Sequence, residues 1–240
     1  MPVLVAIPAL NEEGAIAEVV HAVRAALPEE STVLVVDDGS SDRTAVVAAG
    51  AGAVVVQLPF NVGVGGAMRA AFLYATREGF DRVVQVDGDG QHDPAYLPTL
   101  LAGLADSDIV VGARFAGVGS YRARGPRRWA MTLLAWSLTK ITGSPLTDVT
   151  SGFRAAGPRA VALFSRYYPS EYLGDTVESL VLAHRAGLSV GQVGVQMRPR
   201  QAGSPSQGPL RSTVYLSRAL LALGLSLVRS VPTVPAAHPS

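Results

Sequence analysis

The sequence predicts an α/β domain built on a largely parallel sheet, on three observations. Short β-branched runs alternate with helix-length segments from Val3 to Gly112, the pattern of successive βα units. Polar clusters (LNEE, DDGSSD and DGDGQHD) directly follow predicted strands, and ligands of open α/β sheets gather at the carboxyl ends of strands. Hydrophobic residues make up 48% of the 240-residue chain and charged residues 16%, enough apolar material for a sizeable core.

The predicted strands are Val3–Pro8, Thr32–Asp37, Ala53–Leu58, Arg82–Asp87 and Asp108–Gly112. The intervening helices are Gly14–Ala26, Asp42–Ala49, Gly65–Glu78 and Ala95–Leu104. The second half is less regular. A basic linker, Tyr121 to Arg128, leads into an apolar helix, then a loop TDVTSGFRA, a helix over Thr176–Ala186 and a strand over Val190–Gln196. From Leu210 to Val228 nearly every residue is apolar or small. Arg211, Arg218 and Arg229 project from one side at helical pitch and Leu216, Leu220, Leu223 and Leu227 from the other, describing a helix lying in a membrane interface or packed on the domain. The tail from 231 to 240 is Pro-rich and reads as disordered.

Charge divides the chain. Residues 1–108 carry 15 acids and 5 bases, and residues 109–240 carry 4 acids and 15 bases. The front half suits cations and the back half anions. Cysteine is absent, which excludes disulfides, thiolate metal sites and cysteine nucleophiles. The N-terminal apolar run lacks a preceding basic segment and does not read as a signal peptide. No stretch reads as a membrane-spanning helix.

VQVDGDGQHDP is the strongest chemical signal. Asp87, Asp89 and Gln91 place oxygen ligands two residues apart behind an apolar strand, a density that suits Mg²⁺ or Mn²⁺ gripping a diphosphate. Asp93 before Pro94 reads as a helix N-cap and His92 as a polar turn residue. In VLVVDDGSSDRT, Asp37 or Asp38 is placed to accept hydrogen bonds from a nucleoside, while Ser41 or Asp42 caps the next helix. NVGVGGAMRAA matches two glycines of a dinucleotide fingerprint at Gly63 and Gly65, but Met68 stands at the third, and the first βα turn reads PALNEE. A nicotinamide enzyme is therefore disfavoured, and the Walker pattern is absent.

Taken in order, PALNEE, DDGSSDRT, NVGVGGA, DGDGQHDP, VGAR, TDVTSGFRA and RPRQAGSPS resemble family 2 glycosyltransferases. The similarity is greatest to the branch of dolichol-phosphate mannose synthases and polyprenyl-phosphate sugar transferases. The resemblance implies a GT-A fold over 1–208, with a nucleotide-sugar and metal half (1–114) and an acceptor half (115–208); the amphipathic helix read from the residue pattern follows at 209–230. It implies inverting transfer from a nucleoside-diphosphate sugar, GDP-mannose or a UDP-sugar, to a polyprenyl phosphate. It places Pro8, Leu10, Glu12, Asp37 and Asp38 around the nucleoside, and Asp87, Gly88, Asp89 and Gln91 around metal and diphosphate. Arg114, Arg128 and Arg200 match positions near the diphosphate or the acceptor phosphate. Departures are the missing Lys in the Gly-rich segment, Gln192 where an acid is usual, and Ser204-Pro205-Ser206 in the late element.

A phosphate acceptor is already anionic near pH 7 and needs no general base, and the acid-free run Ile109–Thr147 fits it. A hydroxyl acceptor needs a base, for which Asp175 or Glu178 in GDTVES is a candidate. Asp148 reads as orienting the loop around Ser151 and Arg154. The expected partners are thus the donor, the lipid phosphate and a membrane surface on its cytoplasmic face, with no nucleic acid. The alternatives are transfer to a soluble hydroxyl acceptor and a catalytically silent nucleotide-sugar binding subunit. A nucleotidyltransferase is disfavoured because no Gly-rich, Arg-containing loop follows the first strand.

Overall fold

A computed structural model describes residues 2–114, 126–169 and 175–198, with the backbone alone for 126–130. A seven-stranded sheet runs in the order β3-β2-β1-β4-β6-β5-β7. Its strands are β1 (Val3–Ala9), β2 (Thr32–Asp37), β3 (Val54–Gln57), β4 (Arg82–Gln85), β5 (Ile109–Ala113), β6 (Arg154–Ala156) and β7 (Val190–Gly194). All neighbouring pairs are parallel except those of β6, which runs antiparallel to both β4 and β5. The helices are α1 (Ile16–Ala26), α2 (Thr44–Gly50), α3 (Gly63–Glu78), α4 (Leu97–Ala102), α5 (Pro126–Thr142), α6 (Pro158–Tyr167) and α7 (Asp175–Arg185).

Alternation along the strands builds a core on each face, as a sheet covered on both sides requires. Leu4, Ala6, Leu34 and Val36 join Met68 and Phe72 of α3 and the buried faces of α5, α6 and α7. Val3, Val5, Ile7, Val33 and Val35 point the other way, against α1, α2 and α4. β1 is buried at every position, so its end is fixed from both faces. The chain leaves β1 toward β2 on one side, while β4 pairs on the other. This reversal opens a crevice beyond the strand ends of β1 and β4.

Each predicted strand and helix of the first half forms, with ends shifted by a few residues. The 95–104 helix is shorter, flanked by 3₁₀ turns at Pro94–Tyr96 and Gly103–Ala105. In the second half, TDVTSGFRA is not all loop: its last residues form β6, bonded on both sides. Three residues are too short to show a period of two, so the pattern hid the strand. α6 was also unforeseen, although Pro158 at its first turn and a preceding Gly157 mark its start. The 209–230 helix and the tail lie outside the described residues.

Gly39 shows how tightly the crevice wall is built. Its φ is +75°, and a Cβ there would lie 2.8 Å from the Phe60 carbonyl carbon. Gly39→Ala combines a left-handed backbone with a backbone clash, and a loss of more than about 2 kcal/mol is expected. Denaturant unfolding of the purified variant measures it, and a wild-type midpoint contradicts the close approach.

Candidate active site

The crevice wall begins with two interlocked loops after β1 and β2. Asn11 adopts a left-handed φ of 56°. Its backbone N–H donates to Ser40 Oγ at 2.9 Å, and its side-chain oxygen accepts from the Ser41 N–H at 2.8 Å. Glu12 N–H donates to Thr44 Oγ1, and Glu13 Oε2 accepts from Arg43 N–H. Asp42 accepts from the N–H groups of Thr44 and Glu13, which makes it a strut between the loops.

Asp37 and Asp38 are both buried. Asp37 closes a local turn by accepting from Ser40 N–H at 3.1 Å. Asp38 accepts from Val62 N–H and Gly63 N–H at 2.8 Å each, one through each oxygen. Asp38 thus caps α3 from across the crevice wall. Burial raises its carboxyl, those two N–H groups oppose the rise, and the Asp37 charge adds to it, leaving the pKa above the ordinary carboxylate value. A protein carboxylate therefore occupies the start of α3, where a dinucleotide fingerprint would seat a pyrophosphate.

β4 ends at Gln85, and the turn after it carries the densest chemistry. A Cβ on Gly88 would lie 3.3 Å from the Pro8 carbonyl oxygen and 3.6 Å from Glu12 Cγ, so the Asp87–Gln91 turn packs directly against the β1 loop. Leu10, in that loop, is exposed. Asp89 Oδ1 accepts from Gln91 N–H at 3.0 Å. The side chain of Asp87 is 41% exposed, and a Cβ added at Gly152 would lie 3.0 Å from Asp87 Oδ1, so the TSGF loop packs against it. Asp93 caps the next turn through Ala95 N–H and pairs with Arg198 at 2.7 Å. His92 departs from the polar turn expected: it is buried, with its ring 4.7 Å from Phe153 and nearly parallel to it.

Among the described residues no three His, Cys, Asp or Glu side chains form a closed metal cage. Two carboxylates and a carboxamide on one turn nevertheless fit Mg²⁺ or Mn²⁺. Such ions keep several waters and share their shell with substrate phosphates rather than sitting in all-protein cages.

The back half supplies the guanidinium groups. Arg114 makes a paired contact to Asp148, Nε to Oδ2 at 2.6 Å and Nη2 to Oδ1 at 2.9 Å, and Nη2 also reaches Thr150 Oγ1. Burial alone would raise Asp148, but the hydrogen bonds and charge of Arg114 hold it below its ordinary value. Asp148 therefore positions Arg114 as well as the loop. Arg154 is buried, donating to the carbonyls of Ser151, Val149 and Thr176 and to Ser179 Oγ. It ties the TSGF loop to the start of α7. Gln192 accepts from Thr147 N–H at 2.8 Å, so the amide at this position fastens the same loop. Arg128 lies in the first turn of α5, its side chain beyond the described atoms, and Arg200 lies outside the described residues.

Asp175 opens α7 and is half-buried as a residue, yet its Oδ2 is enclosed without a hydrogen-bond partner among the described residues. Burial raises its pKa to about 6, opposed by the Arg154 charge and Thr176 N–H and reinforced by Asp87 and Glu178.

A mostly parallel seven-stranded sheet flanked by helices, with acidic turns at its switch-point crevice, is a GT-A type fold. The sequence model of glycosyl transferase family 2 matches residues 4–163, and the chain belongs to that family: it is a glycosyltransferase. Undecaprenyl-phosphate mannosyltransferase of Micrococcus luteus is 33% identical over 213 residues, 85% of this chain and 86% of that protein. Polyprenol monophosphomannose synthase of Mycolicibacterium smegmatis is 32% identical over 160 residues, 63% of this chain and 60% of its own length. Glucosyl-3-phosphoglycerate synthase from Mycobacterium tuberculosis, solved with Mn²⁺, UDP and glucosyl-3-phosphoglycerate, superposes with a TM-score of 0.72. It is 25% identical and aligns over 96% of this chain and 81% of that one.

The raised Asp175 pKa has a stability consequence. The folded state binds this proton more tightly than the unfolded chain, so its contribution is present below pH 3.8 and is lost as pH rises to about 6. The difference in unfolding free energy between wild type and Asp175→Asn should shift across that window, the wild type losing ground. A difference independent of pH from 4 to 7 contradicts the enclosure of this carboxyl.

Proposed function

We propose that this glycosyltransferase moves a sugar from a nucleoside-diphosphate donor to a polyprenyl phosphate with inversion at the anomeric carbon. The observation that carries the reading is the Asp87–Gln91 turn, held against the Pro8–Glu12 loop at the switch point. The names of the Micrococcus and Mycolicibacterium relatives support the acceptor class and the mannosyl group. Pro8, Leu10, Glu12, Asp37 and Asp38 form the nucleoside wall. Asp87, Asp89 and Gln91 would hold a divalent cation, whose chemistry is to offset charge building on the leaving diphosphate. The presence of Mn²⁺ in the synthase structure supports such an ion.

The acceptor phosphate oxygen forms a bond to the anomeric carbon as the bond to the diphosphate oxygen breaks, through a transition state with oxocarbenium character. Arg114, fixed by Asp148, stabilises anionic charge on that path. Arg128, in the first turn of α5, is assigned to the acceptor phosphate on the anion preference of its residue type, and Arg200 is assigned to the same anions. Among the described residues no helix is long and apolar enough to cross a membrane. The amphipathic pattern of 210–229 supports peripheral association with the membrane that holds the lipid, on its cytoplasmic face.

The enclosed carboxyl of Asp175 favours a second reading, transfer to a soluble hydroxyl acceptor with Asp175 as base. A panel of nucleotide sugars with short polyprenyl phosphate, read as nucleoside diphosphate release, separates the two. Release should depend on the lipid phosphate, disappear with chelator, and fall about a hundredfold or more in Asp89→Ala while the fold is kept. Undiminished release by folded Asp89→Ala, or by chelated protein, contradicts the cation site. Release that needs a hydroxyl acceptor and follows an acid limb near pH 6, removed by Asp175→Asn, establishes the second reading.

A further inference from the structure

We propose that His92 is a positioning residue for the cation site, fixing the backbone and the carboxylate of Asp87 together; the inference rests on the cation reading above. The β1–β4 ladder ends with Val86 N–H donating to the Ala6 carbonyl, and the next donor, Asp87 N–H, has no strand to pair with. His92 Nδ1 accepts it at 3.0 Å. An Nδ1 that accepts carries no proton, so in the neutral ring the proton sits on Nε2. That nitrogen lies 3.5 Å from Asp87 Oδ2. One imidazole therefore sets both where the chain leaves the sheet and how the first carboxylate of the turn is turned.

The residue is itself held by two other segments. Phe153 of the TSGF loop stacks on one face. The backbone at His92 bridges Met197, and Arg198 N–H donates to the Gln91 carbonyl at 2.8 Å. The segment at 197–198 and the TSGF loop thus clamp the same residue that aims Asp87. A buried ring held by packing on one side and lying beside the carboxylate of a proposed ligand on the other is how an outer partner tunes a metal site.

The test is a Mn²⁺ titration of the full chain, alone and with GDP or UDP, followed by the electron paramagnetic resonance of unbound Mn²⁺. His92→Phe keeps an aromatic ring against Phe153 and removes both polar contacts; it should still fold, with a melting temperature in chelator lowered by a few degrees for the orphaned Asp87 N–H, and its Mn²⁺ affinity should fall about 10- to 100-fold. His92→Asn, which returns an acceptor to Asp87 N–H, should recover most of that affinity. Wild-type affinity in His92→Phe overturns the proposal, as does an Asn variant that folds and binds as weakly as the Phe variant. Wild-type protein that takes up no Mn²⁺ with either nucleotide overturns the cation reading itself.

Discussion

Where a parallel sheet stops, its backbone donors still need partners, and the site is organised by how this chain supplies them. Buried N–H and C=O groups left unpaired cost as much as lost hydrogen bonds. At the end of β4 the partner is His92. At the start of α3 it is Asp38, through both oxygens. Between the β1 and β2 loops the partners are Asn11, Ser40, Thr44 and Glu13, each bonded to the other loop. The polar residues that line the crevice are in large part those that close these strand ends. Glycines at 39 and 88 let the closed ends approach one another.

The same economy governs charge. The acid-rich front half gathers carboxylates at the ends of β2 and β4, while the base-rich back half brings Arg114 and Arg154 from β5 and β6. Each of these arginines is immobilised, Arg114 by Asp148 and Arg154 by carbonyls of two segments. A fixed guanidinium loses little further freedom when an anion arrives, which favours preorganised electrostatic stabilisation. Loop TSGF sits between the halves, with Gly152 against Asp87 and Arg154 holding its base. It is the physical joint between the Asp87–Gln91 turn and the start of α7.

Much of this was legible in the sequence because period and position carry it. The first four βα units announced themselves by apolar runs closed with acids, and the Asp93-Pro94 cap formed as its residue types dictate. What escaped depends on contacts between distant segments. The three residues of β6 have no readable period, and only their two neighbours make them a strand. The Arg114–Asp148 pair spans segments whose approach no local pattern encodes. His92 looked like solvent-facing turn because its neighbours are polar; the ring that buries it, Phe153, lies far along the chain. Asp38 reads as a nucleoside contact; its bonds to Val62 and Gly63 N–H, made to a loop far along the chain, are encoded in no local pattern.

The central claim is that the crevice binds a nucleoside diphosphate and a divalent cation as one unit, the turn after β4 contributing to both. Isothermal titration of GDP and UDP into the protein, with Mn²⁺ and then with chelator, tests it directly. The account predicts that one nucleotide binds at least about tenfold more tightly with the ion, and that Asp87→Asn removes the difference. Equal affinity with and without the ion contradicts it.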